Sequence, residues 1–169
     1  CEKHQDIYFK DFAVVSAKIE ASKAGYEILK MGGNAFDAMI ATDLALAVVY
    51  PNAGNLGGGG FMVYRTADGD YGSLDYREKA PLASTKDMYL DEDNNVVKGL
   101  SSEGALSIGV PGTVAGLFET YQRFGSLPLD SLFKPAMKLA KYGFPLTKKQ
   151  AKSFNQNKRK ILSNSNNID

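Results

Sequence analysis

Apolar positions in the first part of the chain recur at helical spacing. Ala21, Ala24, Ile28 and Met31 follow one another at steps of three and four, which predicts a helix from Lys18 to Met31 with one apolar stripe. Gly32-Gly33 ends it, because glycine takes the left-handed cap without a Cβ penalty. Asn34 reads as the N-cap of a second helix, with Asp37 in its first turn, where the helix dipole favours a carboxylate. Residues 35–49 are apolar nearly all round and rich in alanine, the pattern of a buried helix that lets neighbouring backbones approach. Pro51 stops it. Ahead of the first helix, Val14-Val15 reads as a short strand.

Beyond Pro51 the pattern changes. Gly54-Asn-Leu-Gly-Gly-Gly-Gly60 leads into Phe61–Thr66, which reads as a strand. Asp68-Gly69 is a turn signal, and Tyr71–Tyr76 reads as the return strand of a hairpin. Arg77–Pro81 leaves as a loop, and Asp91–Asn95 is another turn. Leu106–Val110 is expected as a short strand closed by Pro111-Gly112. Thr113–Arg123 is expected as a helix with Val114, Leu117, Phe118 and Tyr121 inward. Asp130–Tyr142 is expected as another, with Leu132, Phe133, Ala136, Met137 and Ala140 inward. Pro135, about one turn in, predicts that this helix starts late or bends. Gly143 and Pro145 end it. Thr147-Lys-Lys-Gln150 is a capping-box pattern for a last helix, which has a thin apolar face and is expected to fray into a Ser/Asn run. Helix, helix, hairpin, then helices suits an α+β layered fold and not a doubly wound parallel sheet.

Composition narrows the chemistry. The chain has 169 residues, 44% of them apolar, which fits one domain or a piece of a larger one. A net charge of +1 implies no global affinity for polyanions. From Ser131 onward there are nine Lys or Arg and one acid, Asp169. A solvated basic face is the reading of this stretch, and no nucleic-acid partner is expected. With a single cysteine, Cys1, and a single histidine, His4, there is no intrachain disulfide. A metal site or a Ser-His-Asp triad would have to use His4, and neither a metal nor a cofactor is expected. The longest apolar run, Ala35–Val49, is interrupted by Asp37, Thr42 and Asp43 and is too short to span a bilayer.

Three features could carry chemistry. The glycine run lacks the Lys-Ser/Thr of a phosphate loop and is followed by a strand, not a helix. The dinucleotide spacing from Gly57 and Gly59 falls on Met62, so a nucleotide site is unsupported. The run is either a tight loop packed under a neighbour or the lining of a pocket. Arg77 lies just past a strand end, where a guanidinium can bind a carboxylate through two parallel hydrogen bonds. Between acids it also reads as a surface ion pair, and the residues alone favour that. Asp75 and Glu78 do not resemble an acid/base pair. Cys1 reads as the acylated first residue of a bacterial lipoprotein, with Glu2-Lys-His-Gln-Asp6 as a polar tether. It reads also as an incidental boundary of the chain, or as a nucleophile whose own α-amine takes the thiol proton.

Five segments resemble the γ-glutamyltranspeptidase family in order and spacing. They are Ala21–Ala38, Gly57–Met62, Asp75-Tyr-Arg-Glu-Lys-Ala-Pro81, Gly109-Val-Pro-Gly-Thr-Val-Ala-Gly116 and Leu132–Ala140. The resemblance covers roughly residues 13–150. It implies a four-layer αββα sandwich of the N-terminal-nucleophile hydrolase type, of which this chain is the helix-rich N-terminal portion. Residues 1–12 form a tether, and 13–169 form an incomplete domain of the large subunit. The resemblance also implies a precursor that cleaves itself into a large and a small subunit. The small subunit supplies an N-terminal Thr nucleophile whose α-amine is the base. Its implied substrate is glutathione or another γ-glutamyl compound, with the γ-glutamyl group passed to water, amino acids or peptides. Arg77 matches the arginine that grips the substrate's α-carboxylate, and no catalytic residue is expected in this chain. The implied location is exported, at the periplasm or envelope of a bacterium, with Cys1 as a candidate lipid anchor. Related acylases and poly-γ-glutamate enzymes of the same fold, or a non-catalytic module on the same scaffold, are the alternatives.

Overall fold

The structure, a computed structural model, describes residues 8–164. The readings of Cys1 and His4 therefore lie outside the described residues. The first helix, α1, runs Ile19–Lys30 and buries Ala21, Ala24 and Ile28, while Met31 at its C-cap is 58% exposed instead of closing the stripe. Gly32 adopts φ +90°, and Gly33 N–H donates to Ile28 O at 3.0 Å, so the glycine pair turns the chain as its composition predicts.

Helix α2, Ala35–Val49, starts at a full capping box. The Asn34 side chain accepts from Phe36 and Asp37 N–H, and the Asp37 carboxylate accepts from Asn34 N–H. The helix packs on α1 and on α4 (Leu129–Tyr142), with Ala38 buried and Ala41 and Ala45 fully so. Small side chains let three helices share one core, in which Ile28, Ile40, Leu132 and Val49 supply the bulk.

Strands β1, Phe61–Arg65, and β2, Tyr71–Asp75, form the expected antiparallel hairpin, with Met62 opposite Leu74 and Phe61 opposite Asp75. Gly69, at φ +96°, makes the turn. Met62 points inward and is buried; Phe61, Val63 and Tyr71 point outward and are exposed. Val14-Val15 is not a strand. Burial alternates, with Val14 and Ser16 half-buried around an exposed Val15, as in an extended segment, but no ladder partner exists among the described residues. Leu106–Val110 is not a strand either. Ala105–Ser107 forms a 3-10 turn, and Val110 alone bridges to Lys79, through hydrogen bonds of 3.1 and 2.7 Å. Pro111 cannot donate to a ladder, so pairing stops there.

Helix α3, Thr113–Phe124, buries Thr113, Gly116, Leu117 and Thr120. The expected inner residues Val114 and Phe118 are exposed, because the small-residue face is the one pressed to the hairpin. Helix α4, Leu129–Tyr142, starts without delay despite Pro135, which leaves the half-buried Ser131 without its helical donor. Leu132 and Ala136 are buried, whereas Met137 and Ala140 are exposed, so its buried stripe is narrower than expected. Helix α5, Lys148–Asn164, opens at the Thr147–Gln150 box and is continuous to its last described residue. Gln150 Nε2 also donates to Val49 O at 2.9 Å, pinning α5 to the end of α2.

Candidate functional site

The site is built where β2 runs out. Asp75 Oδ1 accepts the main-chain N–H of Arg77 at 3.0 Å, an Asx-type turn that stops the strand. The same carboxylate takes the Arg77 guanidinium in a fork, Nε to Oδ1 at 3.3 Å and Nη2 to Oδ2 at 3.1 Å. The guanidinium carbon lies 4.9 Å from the centre of the Phe61 ring, within cation–π range. The side chains of Arg77 and Asp75 are both more than half exposed. The Arg77 side-chain and main-chain donors hold the Asp75 carboxyl below the ordinary carboxylate range, and Asp75 pushes Arg77 further up. The surface-ion-pair reading of Arg77 is thus realised in this structure. One edge of the guanidinium serves Asp75, and the terminal Nη1 faces no described acceptor.

Behind Arg77 the chain is wedged. Tyr76 exchanges main-chain hydrogen bonds with Gly60, N–H to Gly60 O at 3.0 Å and O from Gly60 N–H at 3.4 Å. Its ring lies on Gly116 of α3, where a Cβ would fall inside contact distance of the Tyr76 ring, and its carbonyl lies equally close to Gly112. Gly58 O accepts from the N–H groups of Gly112 and Thr113 at 2.8 and 3.0 Å, satisfying two orphan donors of the α3 N-terminus. The glycine run therefore belongs to the first of its two readings. Gly59 and Gly60 pack beneath residues 76–78, and Gly58 packs on the Asn55 side chain while its carbonyl meets the α3 N-terminus. A cavity of about 350 Å³ opens beside the fork, lined by Asp75, Arg77, Lys79, Pro111 and Glu119. Glu119 is itself paired with Arg123, at 2.6 Å to its Nε.

Two features escape a reading of the sequence. The glycines at 112 and 116, four apart on one helix face, carry a legible small-residue signal, but nothing local says that Tyr76 fills it. Asp43 reads only as an interruption of an apolar helix. In the structure it faces a second cavity, of about 510 Å³, with Tyr76 on the far wall. Burial pushes the Asp43 carboxyl up, and burial together with the Asp43 charge pushes the Tyr76 phenol up. Among the described residues no group of three or more His, Cys, Asp or Glu could hold a metal ion, and no helix is long and apolar enough to cross a membrane.

The residues so far define an α+β layer with an open sheet face and, at its edge, an arginine fork held from behind by a wedged tyrosine. A family model described as Gamma-glutamyltranspeptidase matches residues 21–168. The chain belongs to the γ-glutamyltranspeptidase family. It is 56% identical over 133 residues to a glutathione hydrolase proenzyme of Pseudomonas sp. (strain A14), covering 79% of this chain and 23% of that protein. It is 46% identical over 135 residues to the glutathione hydrolase proenzyme of Escherichia coli (strain K12), covering 80% and 23%. Among solved structures, the γ-glutamyltranspeptidase of Helicobacter pylori superposes with a TM-score of 0.89 at 44% identity, covering 95% of this chain and 46% of that one. The chain thus spans about a quarter of the length of these curated relatives.

Proposed function

We propose that this chain is the N-terminal part of the large subunit of a γ-glutamyltranspeptidase, with residues 1–12 as a tether and 13–169 as an incomplete domain. The whole protein cleaves the γ-glutamyl amide of glutathione or a similar compound and passes the acyl group to water, an amino acid or a peptide. The nucleophile, an N-terminal Thr with its α-amine as base, belongs to the small subunit of the same precursor. The complete fold is a four-layer αββα sandwich. Its second sheet covers the outward face of the hairpin, and the bare Phe61, Val63 and Tyr71 support that reading. Export to a bacterial envelope completes the proposal.

The observation that carries it is the fork of Arg77. It is preset in bidentate geometry on the open sheet face, with the terminal edge directed away from Asp75. In this reading that edge takes the substrate's α-carboxylate, which fixes the scissile amide as well as adding affinity. A free α-carboxylate separates γ-glutamyl compounds from the substrates of acylases on the same scaffold.

The test uses the full-length parent and its Arg77→Ala variant on a chromogenic γ-glutamyl anilide. The parent cleaves it, and the variant loses roughly a hundredfold or more in kcat/KM. A self-processed parent that leaves the anilide intact would shift the reading to an acylase or a poly-γ-glutamate enzyme. A parent that never processes itself would leave a non-catalytic module.

A further inference from the structure

The 510 Å³ cavity has an apolar wall and one charge. Val14, Leu29, Met39, Leu46, Phe61 and Met62 supply most of its surface, and Asp43 stands half-buried among them. No hydrogen bond or ion pair reaches the Asp43 carboxylate from any described residue. The other polar groups of the wall do not compensate it. Thr42 donates its hydroxyl to Ala38 O at 2.7 Å, and Ser16 shares its own with Ser22 at 2.8 Å. Tyr76 is the one other titratable side chain on the wall, and it carries no positive charge. A carboxylate withdrawn from water without a partner is costly, and proteins keep such groups only where a cation or a set of donors meets them.

The cavity lies between the extended segment 12–16, whose backbone has no ladder partner among the described residues, and strand β1. The space suits an extended segment bearing one long side chain. Most of the length of the relatives is outside this chain, so a segment to fill it is available within the same precursor.

We propose that Asp43 is the anchor of an intramolecular ion pair, in which a lysine or arginine from a further segment of the same precursor enters this cavity and pairs with the carboxylate. This rests on the reading of the chain as part of a longer precursor, and it assigns a role to a residue outside the substrate clamp. The apolar stem of the incoming side chain packs on Leu29, Met39 and Leu46 while its charge meets Asp43.

The sign of one substitution decides it. In the full-length protein, Asp43→Asn and Asp43→Leu are compared with the parent by thermal unfolding at neutral and acid pH. If a cation meets Asp43, each variant strands that cation, and both unfold lower than the parent by about 3 °C or more at neutral pH. Pairing would draw the carboxyl below its ordinary range. The gap would then be full at neutral pH and would close as the pH falls through that lowered value. If no cation enters, removing an unpaired, desolvated carboxylate stabilises the protein. A variant that unfolds at or above the parent's temperature overturns the proposal. An unfolding temperature gap that shrinks on dilution, with the parent dissociating, would place the cation on a second copy and overturns it also. Self-cleavage and γ-glutamyl release by the parent are read in the same preparation. A failure of the family reading therefore shows as loss of those, whatever the unfolding temperatures do.

Discussion

Asp37 and Ser126 are 89 positions apart in sequence and joined by one carboxylate. Asp37 accepts the Ser126 main-chain N–H at 3.1 Å and the Ser126 hydroxyl at 2.5 Å, while also completing the cap of its own helix at Asn34. Asn34 adds a bond from its side-chain nitrogen to Phe124 O at 2.6 Å. The start of α2 is thus tied to the link between α3 and α4 by fully satisfied polar groups in a buried place.

Ser126→Ala removes one donor from a buried carboxylate and should cost about 1–3 kcal/mol in unfolding free energy. Asp37→Ala also loses the return bond of the capping box from Asn34 N–H and the acceptor for Ser126 N–H, and should cost more than Ser126→Ala. Denaturant unfolding of the full-length protein checks the order. Equal effects would mean that Ser126 alone accounts for the tie.

Gly116→Ala should be disruptive far beyond the usual change of glycine to alanine in a helix. The new methyl would enter the Tyr76 ring, and the residue carrying Arg77 would move with it. The expected outcome is a loss of kcat/KM on the γ-glutamyl anilide of roughly tenfold or more, with lowered stability. Gly57→Ala is the control, since nothing lies within 4 Å of a Cβ there, and it should leave both unchanged.

Asp75 orients Arg77 without being buried, and its carboxyl is held below the ordinary range. A lowered value means that the contribution is present above the unfolded pKa and is lost as pH falls through the folded one. Orientation of the clamp should therefore survive below the pH at which a free aspartate protonates. Asp75→Asn should raise KM several-fold with a smaller change in kcat. A pH profile of KM that breaks at the ordinary aspartate value would contradict this.

Gln150→Ala removes the return half of the capping box, in which Gln150 Oε1 accepts from Thr147, and the bond to Val49 O. Helix α5 should then exchange its amides faster and be cut earlier by trypsin at Lys148, Lys149 and Lys152, with the α1–α2 core unaffected. Hydrogen exchange followed by mass spectrometry separates the two regions.

Local signals account for most of the elements. The stripe in α1 as far as Ile28, the capping boxes at Asn34 and Thr147, and the Asp68-Gly69 turn are each decided within a few residues and are found as expected, whereas Met31 is exposed. Facing is harder. In α3 the apolar residues Val114 and Phe118 suggest one face, but the hairpin needs close approach and selects Gly116 and Thr120 instead. Periodicity finds the largest side chains, whereas packing against Tyr76 selects the smallest. The Val14-Val15 and Leu106–Val110 segments have strand composition, yet a strand is defined by a partner; none pairs with Val14-Val15 among the described residues, and Pro111 stops the pairing begun at Val110. Arg77 is visible as a candidate in the sequence because it follows a strand and matches a family motif, whereas its acidic neighbours point to an ion pair. That it rides on Phe61 and is wedged by α3 depends on contacts across tens of residues, and no local pattern encodes them.

The wedge separates two duties onto adjacent residues. Tyr76 carries the anchoring, inside, against Gly60, Gly112 and Gly116; Arg77 stands outside, over Phe61, where the proposed recognition falls. A change at position 77 can alter what is recognised while leaving the anchor intact, so the scaffold can drift between substrates without first losing its fold. Evolvability here is a matter of which of two neighbouring side chains the glycines hold.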